Sequence, residues 1–404
     1  MKLLKFNENK KIKIGIVTGT RAEYGLLKNL IIKLRGAPLF ETDLFVTGAH
    51  LSEKHGRTVE EILNDNIYVN ETIDLQIDDD TPSSVCNYIA RGVVGFSEIF
   101  RNKKYDIFIL LGDRYELLAA ATAAMIHKIP IGHIHGGEVT VGAYDEGIRH
   151  AITKLAHLHF VAADEYRNRV IQLGELPKNV FNVGGLGVDG INQTKLIPKE
   201  TLSVLLDIKF KEKIYLVTFH PVTLDNISSK EHMTELLGAL KIQENATIIF
   251  TLPNADSDNG PIRRCIEKFV DENKDSHFFA SLGQQNYYSC VSVSDAVIGN
   301  SSSGILEVPT FKKPTINIGD RQKGRLRAKS VIDCLPDKQH IHDAIELSQS
   351  REFQKICANS INPYGEKGAP DKIVKILENT DYTNLLKKEF YDLSPKNNHK
   401  LTYY

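Results

Sequence analysis

The chain is short of cysteine, of net charge and of long apolar runs. Its five cysteines (Cys86, Cys265, Cys290, Cys334, Cys357) are scattered, odd in number and without CxxC spacing. That pattern excludes a disulfide framework and reads as the reduced thiols of a cytosolic protein. Lysine plus arginine total 50 against 51 for aspartate plus glutamate, which argues against a broad surface for nucleic acid or membrane. Any anion site must therefore be local. No segment approaches the roughly 20 apolar residues of a membrane span. The basic start MKLLKFNENKKIKIGIV has no apolar stretch long enough for a signal peptide, so a cytoplasmic location is expected. There is no internal repeat and no low-complexity segment.

What is present is alternation. "KIKIGIVTGT" is a β-branched run ending in glycine, and Leu26, Leu27, Leu30, Ile31 and Leu34 then recur at helical spacing. The pattern repeats through "TDLFVTGA", "YDIFILLGD", "IPIGHIHGG" and "LHFVAAD", with helices predicted after each, one of them near residues 145–156. After the polar stretch "NQTKLIPKE" it restarts with "KIYLVTFHPVT", "ATIIFTLPN", "HFFASL", "DAVIGNSSSG" and "KPTINIGD". Apolar runs alternating with amphipathic helices predict βαβ units and parallel sheets. A chain of 404 residues exceeds what one core usually serves. The expectation is thus two doubly wound, Rossmann-like α/β domains, 1–192 and 200–375, with a helical tail over 376–404. Ligands of such folds sit at the carboxyl ends of strands, which places the expected site in an interdomain cleft.

Several stretches carry chemistry. Gly185-Leu-Gly187-Val-Asp-Gly190 fits GxGxxG, but a dinucleotide fingerprint needs a long helix opening at the glycines; with a polar linker following, an interdomain turn is the expectation. In "GNSSSGILEVP", Gly299 leads into Asn300, Ser301, Ser302 and Ser303 and a helix start carrying Glu307. A helix cap needs one serine, and three predict a phosphate site. Arg21 in the first strand-to-helix turn, His220 at the end of "IYLVTF" and Arg321 in "GDRQKGR" all fall where a cleft ligand would lie.

"HIHGGEVTVGAYDEGIRH" adds His133 and His135, which share a face if the strand continues. HxH after a strand can be half of a zinc site, yet no carboxylate arrives at the spacing that would complete one, so no metal is expected. Gly136 and Gly137 permit a sharp exit that exposes Glu138, and Asp113 in "GDRYE", beside Arg114, ends the preceding strand. Asp113, Glu138 and Asp145 could gather at one rim, where crowding of like charges raises a pKa and prepares an acid or base. A solvated acidic loop is the alternative.

As a set, "GTRAEYG", "GDRYE", "HIHGGE", "DEGIRHAITKLAHLH", "FHPVT", "GNSSSGILEVP" and "GDRQKGR" resemble the hydrolysing UDP-N-acetylglucosamine 2-epimerases of bacterial sialic-acid biosynthesis. The resemblance implies a GT-B-like fold, no cofactor, and a small-molecule nucleotide sugar as the partner of a homodimer or homotetramer. It places the UDP moiety on Arg21, Arg114, His220, Asn254, Ser301, Ser302, Glu307 and Arg321, and catalysis on Asp113 and Asp145. The implied reaction removes the proton at carbon 2 with loss of UDP, giving a glycal that is rehydrated to N-acetylmannosamine. Where many relatives read HIEGGE this chain reads HIHGGE, so either His135 or Glu138 takes over a carboxylate's role. Three alternatives stay open: a 2,4-diacetamido sugar nucleotide as substrate, a non-hydrolysing epimerase, and a nucleotide-sugar binding protein without catalysis.

Overall fold

The computed structural model describes residues 11–393 apart from 54, 55, 78, 80, 140–144, 222–227, 252–258, 281 and 366. The chain divides into two compact units, one built from the described parts of Met1–Glu138, Ala143–Asp189 and Gly368–Tyr404, the other from those of Val139–Gly142 and Gly190–Lys367.

The first unit holds a seven-stranded parallel sheet of β1 (Ile12–Thr18), β2 (Phe40–Thr47), β3 (Glu71–Ile73), β4 (Ile107–Leu111), β5 (Ile131–Ile134), β6 (Leu158–Val161) and β7 (Val180–Asn182), in the order β3-β2-β1-β4-β5-β6-β7. Every residue of β4, β5 and β6 is buried, as expected of strands covered by helices on both faces. The second unit holds a six-stranded sheet of β8 (Lys213–Thr218), β9 (Ala246–Thr251), β10 (Ser276–Phe279), β11 (Ala296–Gly299), β12 (Thr315–Ile318) and β13 (Val331–Cys334), ordered β10-β9-β8-β11-β12-β13. Each order reverses once, between β1 and β4 and between β8 and β11. Those reversals open the crevices in which doubly wound sheets bind ligands.

The chain's end departs from the expected division. The helix Ala369–Glu378 buries Ala369, Ile373 and Leu377 in the same apolar cluster as Leu27, Leu30 and Leu34 of the first unit. Both oxygens of Asp189 accept its first N–H groups, from Gly368 at 2.7 Å and Ala369 at 2.8 Å. Residues 379–393 beyond it are not helical. The GxGxxG stretch is not a turn either, since residues 186–193 form a short helix; the polar sequence after it begins only at its end.

Lys388, in that final segment, reaches Glu175 at 2.7 Å, together with Lys154 at 2.6 Å and His159 at 3.0 Å. Burial alone would raise the Glu175 carboxyl, but these three donors outweigh it and hold the pKa at about 2. A depressed carboxyl contributes stability that is present above its unfolded pKa and lost as pH falls through the folded one. Glu175→Gln is therefore expected to cost on the order of 3 kcal/mol at neutral pH, read by urea unfolding, with the difference from wild type vanishing towards pH 2. Equal unfolding midpoints at pH 7 would remove the network from the account.

Candidate active site

In the first unit, β4 exits through Gly112 into Asp113 and Arg114, and the helix Tyr115–Ile126 begins at once. Asp113 pairs with Arg149, which is 5% exposed and also reaches Glu146 at 3.2 Å. Arg149 and Glu146 lie on the helix Asp145–Leu155, whose first residue is Asp145. Burial raises the Asp145 carboxyl, Arg114 opposes the shift and Glu116 adds to it. Asp113 and Asp145 are thus tied to one corner, through Arg149 and its helix in one case and through Arg114 and Glu116 in the other.

The two histidines of HxH part company. β5 ends at Ile134 and His135 takes a left-handed φ of 64°, so strand alternation stops between them. His133 is buried, with Nε2 on the Gly112 carbonyl at 2.8 Å and Nδ1 on Thr153 Oγ1 at 3.1 Å. Burial depresses its pKa to about 3, and the carbonyl makes Nε2 the protonated nitrogen. His135 Nδ1 instead meets Glu138 Oε1 at 3.2 Å. Glu138 is only 4% exposed, contrary to the expectation that the Gly136-Gly137 exit would expose it. Gly137 presses on the backbone of Tyr166, where a Cβ would stand 2.5 Å from the carbonyl oxygen, and this turns the loop inward.

Arg21 opens the helix Arg21–Gly36, 48% exposed and 3.8 Å from Glu61. It belongs to the first unit, whereas His220, Ser301, Ser302, Glu307 and Arg321 belong to the second. Asn254 lies outside the described residues.

In the second unit the ends of β8 and β11 are stitched together at the reversal. His220 N donates to Asn300 Oδ1 at 2.7 Å and Asn300 Nδ2 donates to the His220 carbonyl at 2.9 Å. The Asn300 carbonyl accepts from Arg321 at 3.0 Å and from Gln322 at 2.9 Å. Ser301 caps the helix Ser302–Leu306 by accepting from Ser303 N. Glu307 falls just after that short helix rather than within it. It accepts from the Tyr288 hydroxyl at 3.3 Å, and burial lifts its pKa to about 7. His220 is depressed to about 4 by burial and by Arg321, so it is neutral at physiological pH.

The motifs point to most of this cluster but not to all of it. Glu23, Gln322, Tyr287 and Tyr288 escaped the sequence reading, although Gln322 stands inside "GDRQKGR" and Glu23 inside "GTRAEYG". Nothing local marks the tyrosines, which come from the helix Gly283–Val293 and join Ser303 and Glu307 only through packing.

Two parallel sheets, each with polar and charged side chains at its reversal point, define a two-domain α/β protein of GT-B-like fold. The chain belongs to the UDP-N-acetylglucosamine 2-epimerase family, whose model matches residues 32–378. It is 40% identical to the Escherichia coli polysialic acid biosynthesis protein P7, over 94% of this chain and 97% of that protein. It is 39% identical to the GDP/UDP-N,N'-diacetylbacillosamine 2-epimerase (hydrolyzing) of Campylobacter jejuni, over 95% of this chain and 100% of that one. Among solved structures, the Neisseria meningitidis UDP-GlcNAc 2-epimerase bound to UDP-GlcNAc superposes with a TM-score of 0.71 at 19% identity, covering 91% of this chain and 100% of that one. Among the described residues no helix is long and apolar enough to cross a membrane.

Proposed function

We propose that the chain is a hydrolysing 2-epimerase that converts UDP-N-acetylglucosamine and water to N-acetylmannosamine and UDP in the cytoplasm. The observation that carries this reading is the division of labour between the two reversal points: paired acids and arginines in one unit, hydroxyls, a buried carboxyl and Arg321 in the other. Asp113 takes the proton from carbon 2 as the bond from carbon 1 to the UDP oxygen breaks, leaving a double bond between those carbons. Asp145, whose carboxyl is raised by burial, is the acid assigned to return one. Asp145 gives its proton to carbon 2 on the opposite face as water adds at carbon 1 and loses a proton to His135, which returns it to Asp145; the proton on Asp113 passes to solvent and the free sugar departs. The His135–Glu138 pair, 3.2 Å apart, is assigned the role of the carboxylate that the sequence lacks: Glu138 stands beside the imidazole, and the imidazole relays a proton. No cofactor or metal is needed for these steps.

UDP is assigned to the second unit. Serine hydroxyls and Arg321 take the diphosphate, and Glu307 accepts from the ribose diol. Because the Glu307 pKa stands at about 7 and the diol favours the ionised form, UDP affinity is expected to rise about tenfold between pH 6 and pH 8. Glu307→Gln should flatten that dependence in calorimetry beyond what the phosphate's own titration leaves; an unchanged profile would take the ribose away from Glu307. Arg321→Ala is expected to weaken UDP binding about tenfold through the lost charge-assisted bonds, and unchanged calorimetric affinity would sink the assignment.

The near-equal identity to the diacetylbacillosamine enzyme of Campylobacter jejuni favours a second reading, the same chemistry on a UDP-2,4-diacetamido sugar. Chromatographic separation of products from both substrates distinguishes them. Free N-acetylmannosamine plus UDP supports the first reading, and UDP-N-acetylmannosamine as the sole product would replace hydrolysis by simple epimerisation.

A further inference from the structure

Arg114 differs from its neighbour Arg149 in what it leaves unspent. Arg149 is buried and engaged by Asp113 and Glu146. Arg114 donates through Nε to Glu116 Oε1 at 2.9 Å, and neither of its Nη groups has a hydrogen-bond partner among the described residues. Its side chain is 42% exposed. The guanidinium is held by its Nε edge and stands 5.5 Å from the centroid of the Tyr115 ring.

The holder is an expensive one. Glu116 is fully buried, its Oε2 has no partner, and Arg114 is its one ion-pair partner among the described residues. Burying a carboxylate costs several kcal/mol before pairing repays it. Glu116 is wedged against the exits of β1 and β2: a Cβ on Gly19 would stand 2.6 Å from Oε1, and one on Gly48 would stand 2.9 Å from the same atom. Glu23 lies beside it, accepting from Gly19 N at 2.7 Å. Burial first and Glu116 second push the Glu23 carboxyl up to about 8; of the carboxyls whose charge acts on Arg114, which include Asp145, Glu116 alone stands within ion-pair distance among the described residues. A fold-only role would be met by a neutral side chain of the same shape.

We propose that Glu116 is a positioning residue, pinning the Nε edge of Arg114 to the Gly19 and Gly48 backbone so that both Nη groups face an anionic ligand at the β1–β4 reversal. A two-nitrogen fork fits a pair of oxygens on one phosphoryl or carboxylate group. Resting on the function proposed above, that group is a phosphate of the departing UDP, whose charge grows as the bond to carbon 1 breaks.

The test is a double-mutant cycle on the full-length protein with UDP-N-acetylglucosamine. Glu116→Gln is expected to lower kcat by about tenfold or more with KM within about threefold, because the lost alignment matters most as charge develops. In an Arg114→Ala background the same substitution should change the pH-independent kcat by less than about twofold, since Glu116 reaches the ligand only through Arg114. It should also shift the pH–rate limb governed by Asp145 to lower pH, by removing a nearby negative charge. An equal loss in both backgrounds, or no loss in either, overturns the proposal. Glu116→Asp keeps the charge and shortens the reach; should the Gln variant fail to fold, Asp must reproduce the kcat loss and its absence in the Arg114→Ala background. If the wild type turns over no UDP-sugar, the function above fails while the positioning claim is still decided by NMR. The Arg114 Nε–H signal, identified by its absence in Arg114→Lys, should exchange about tenfold faster in Glu116→Gln as a charge-assisted bond becomes a neutral one. An unchanged rate contradicts it.

Discussion

Turnover of Asp113→Asn is expected to fall by about 10²–10⁴-fold, the usual contribution of a positioned general base, while UDP affinity stays within about threefold. The amide keeps the shape of the carboxylate and its place beside Arg149, but it takes up no proton from carbon 2. Arg149 keeps Glu146 at 3.2 Å as a counter-charge, so the buried guanidinium is not stranded and the variant should fold. Nucleotide binding is spared because the serines, Glu307 and Arg321 belong to the other unit. Calorimetry with UDP alongside steady-state rates separates the two effects. A tenfold or greater loss of UDP affinity would move Asp113 out of the sugar half of the site.

Gly299→Ala is expected to be the most damaging single change in the nucleotide half. Gly299 closes β11 with φ at 139°, and a Cβ there would stand 1.9 Å from the Thr218 carbonyl oxygen. An L side chain rarely adopts that conformation, and the oxygen is backbone that cannot swing aside. Conformational strain and overpacking, each about 1–3 kcal/mol, together remove roughly 4 kcal/mol of stability. The displaced segment is also the one that carries Asn300, whose bonds to His220 join β8 to β11. UDP affinity should therefore fall by about tenfold or more even in conditions where the variant is folded. Wild-type melting and wild-type UDP binding together would show that the close approach of β8 and β11 is not what shapes the site.

The fold was legible where the chain is most apolar. β4 (IFILL) and β9 (ATIIFT) are wholly buried, and strands of that kind announce themselves as unbroken hydrophobic runs. The three-residue strands β3 and β7 are too short and too polar to do so. The boundary at the carboxyl terminus was missed for another reason: the helix Ala369–Glu378 is amphipathic like many others, and only tertiary packing shows that its apolar face belongs to the first unit.

At the candidate site the motifs placed Asp113, Ser301 and Arg321 just after strands and Asp145 where the loop meets the next helix, because βα loops carry the chemistry of such sheets. Conformation at single residues was harder to read. His135 at φ 64° breaks the alternation that an HxH pattern implies, and glycine-rich neighbours disguise this. Partners from distant helices were invisible. Tyr288 beside Glu307 and Glu23 beside Glu116 meet through topology, and no spacing in the sequence encodes that.

The account stands on proton abstraction at carbon 2 followed by hydrolysis. The direct measurement is a proton NMR time course of the purified, chelator-treated protein with UDP-N-acetylglucosamine in deuterated water. Free N-acetylmannosamine carrying deuterium at carbon 2, appearing together with UDP, is the predicted result. N-acetylmannosamine that retains the original hydrogen at carbon 2, or a substrate left intact while UDP still binds, would contradict it.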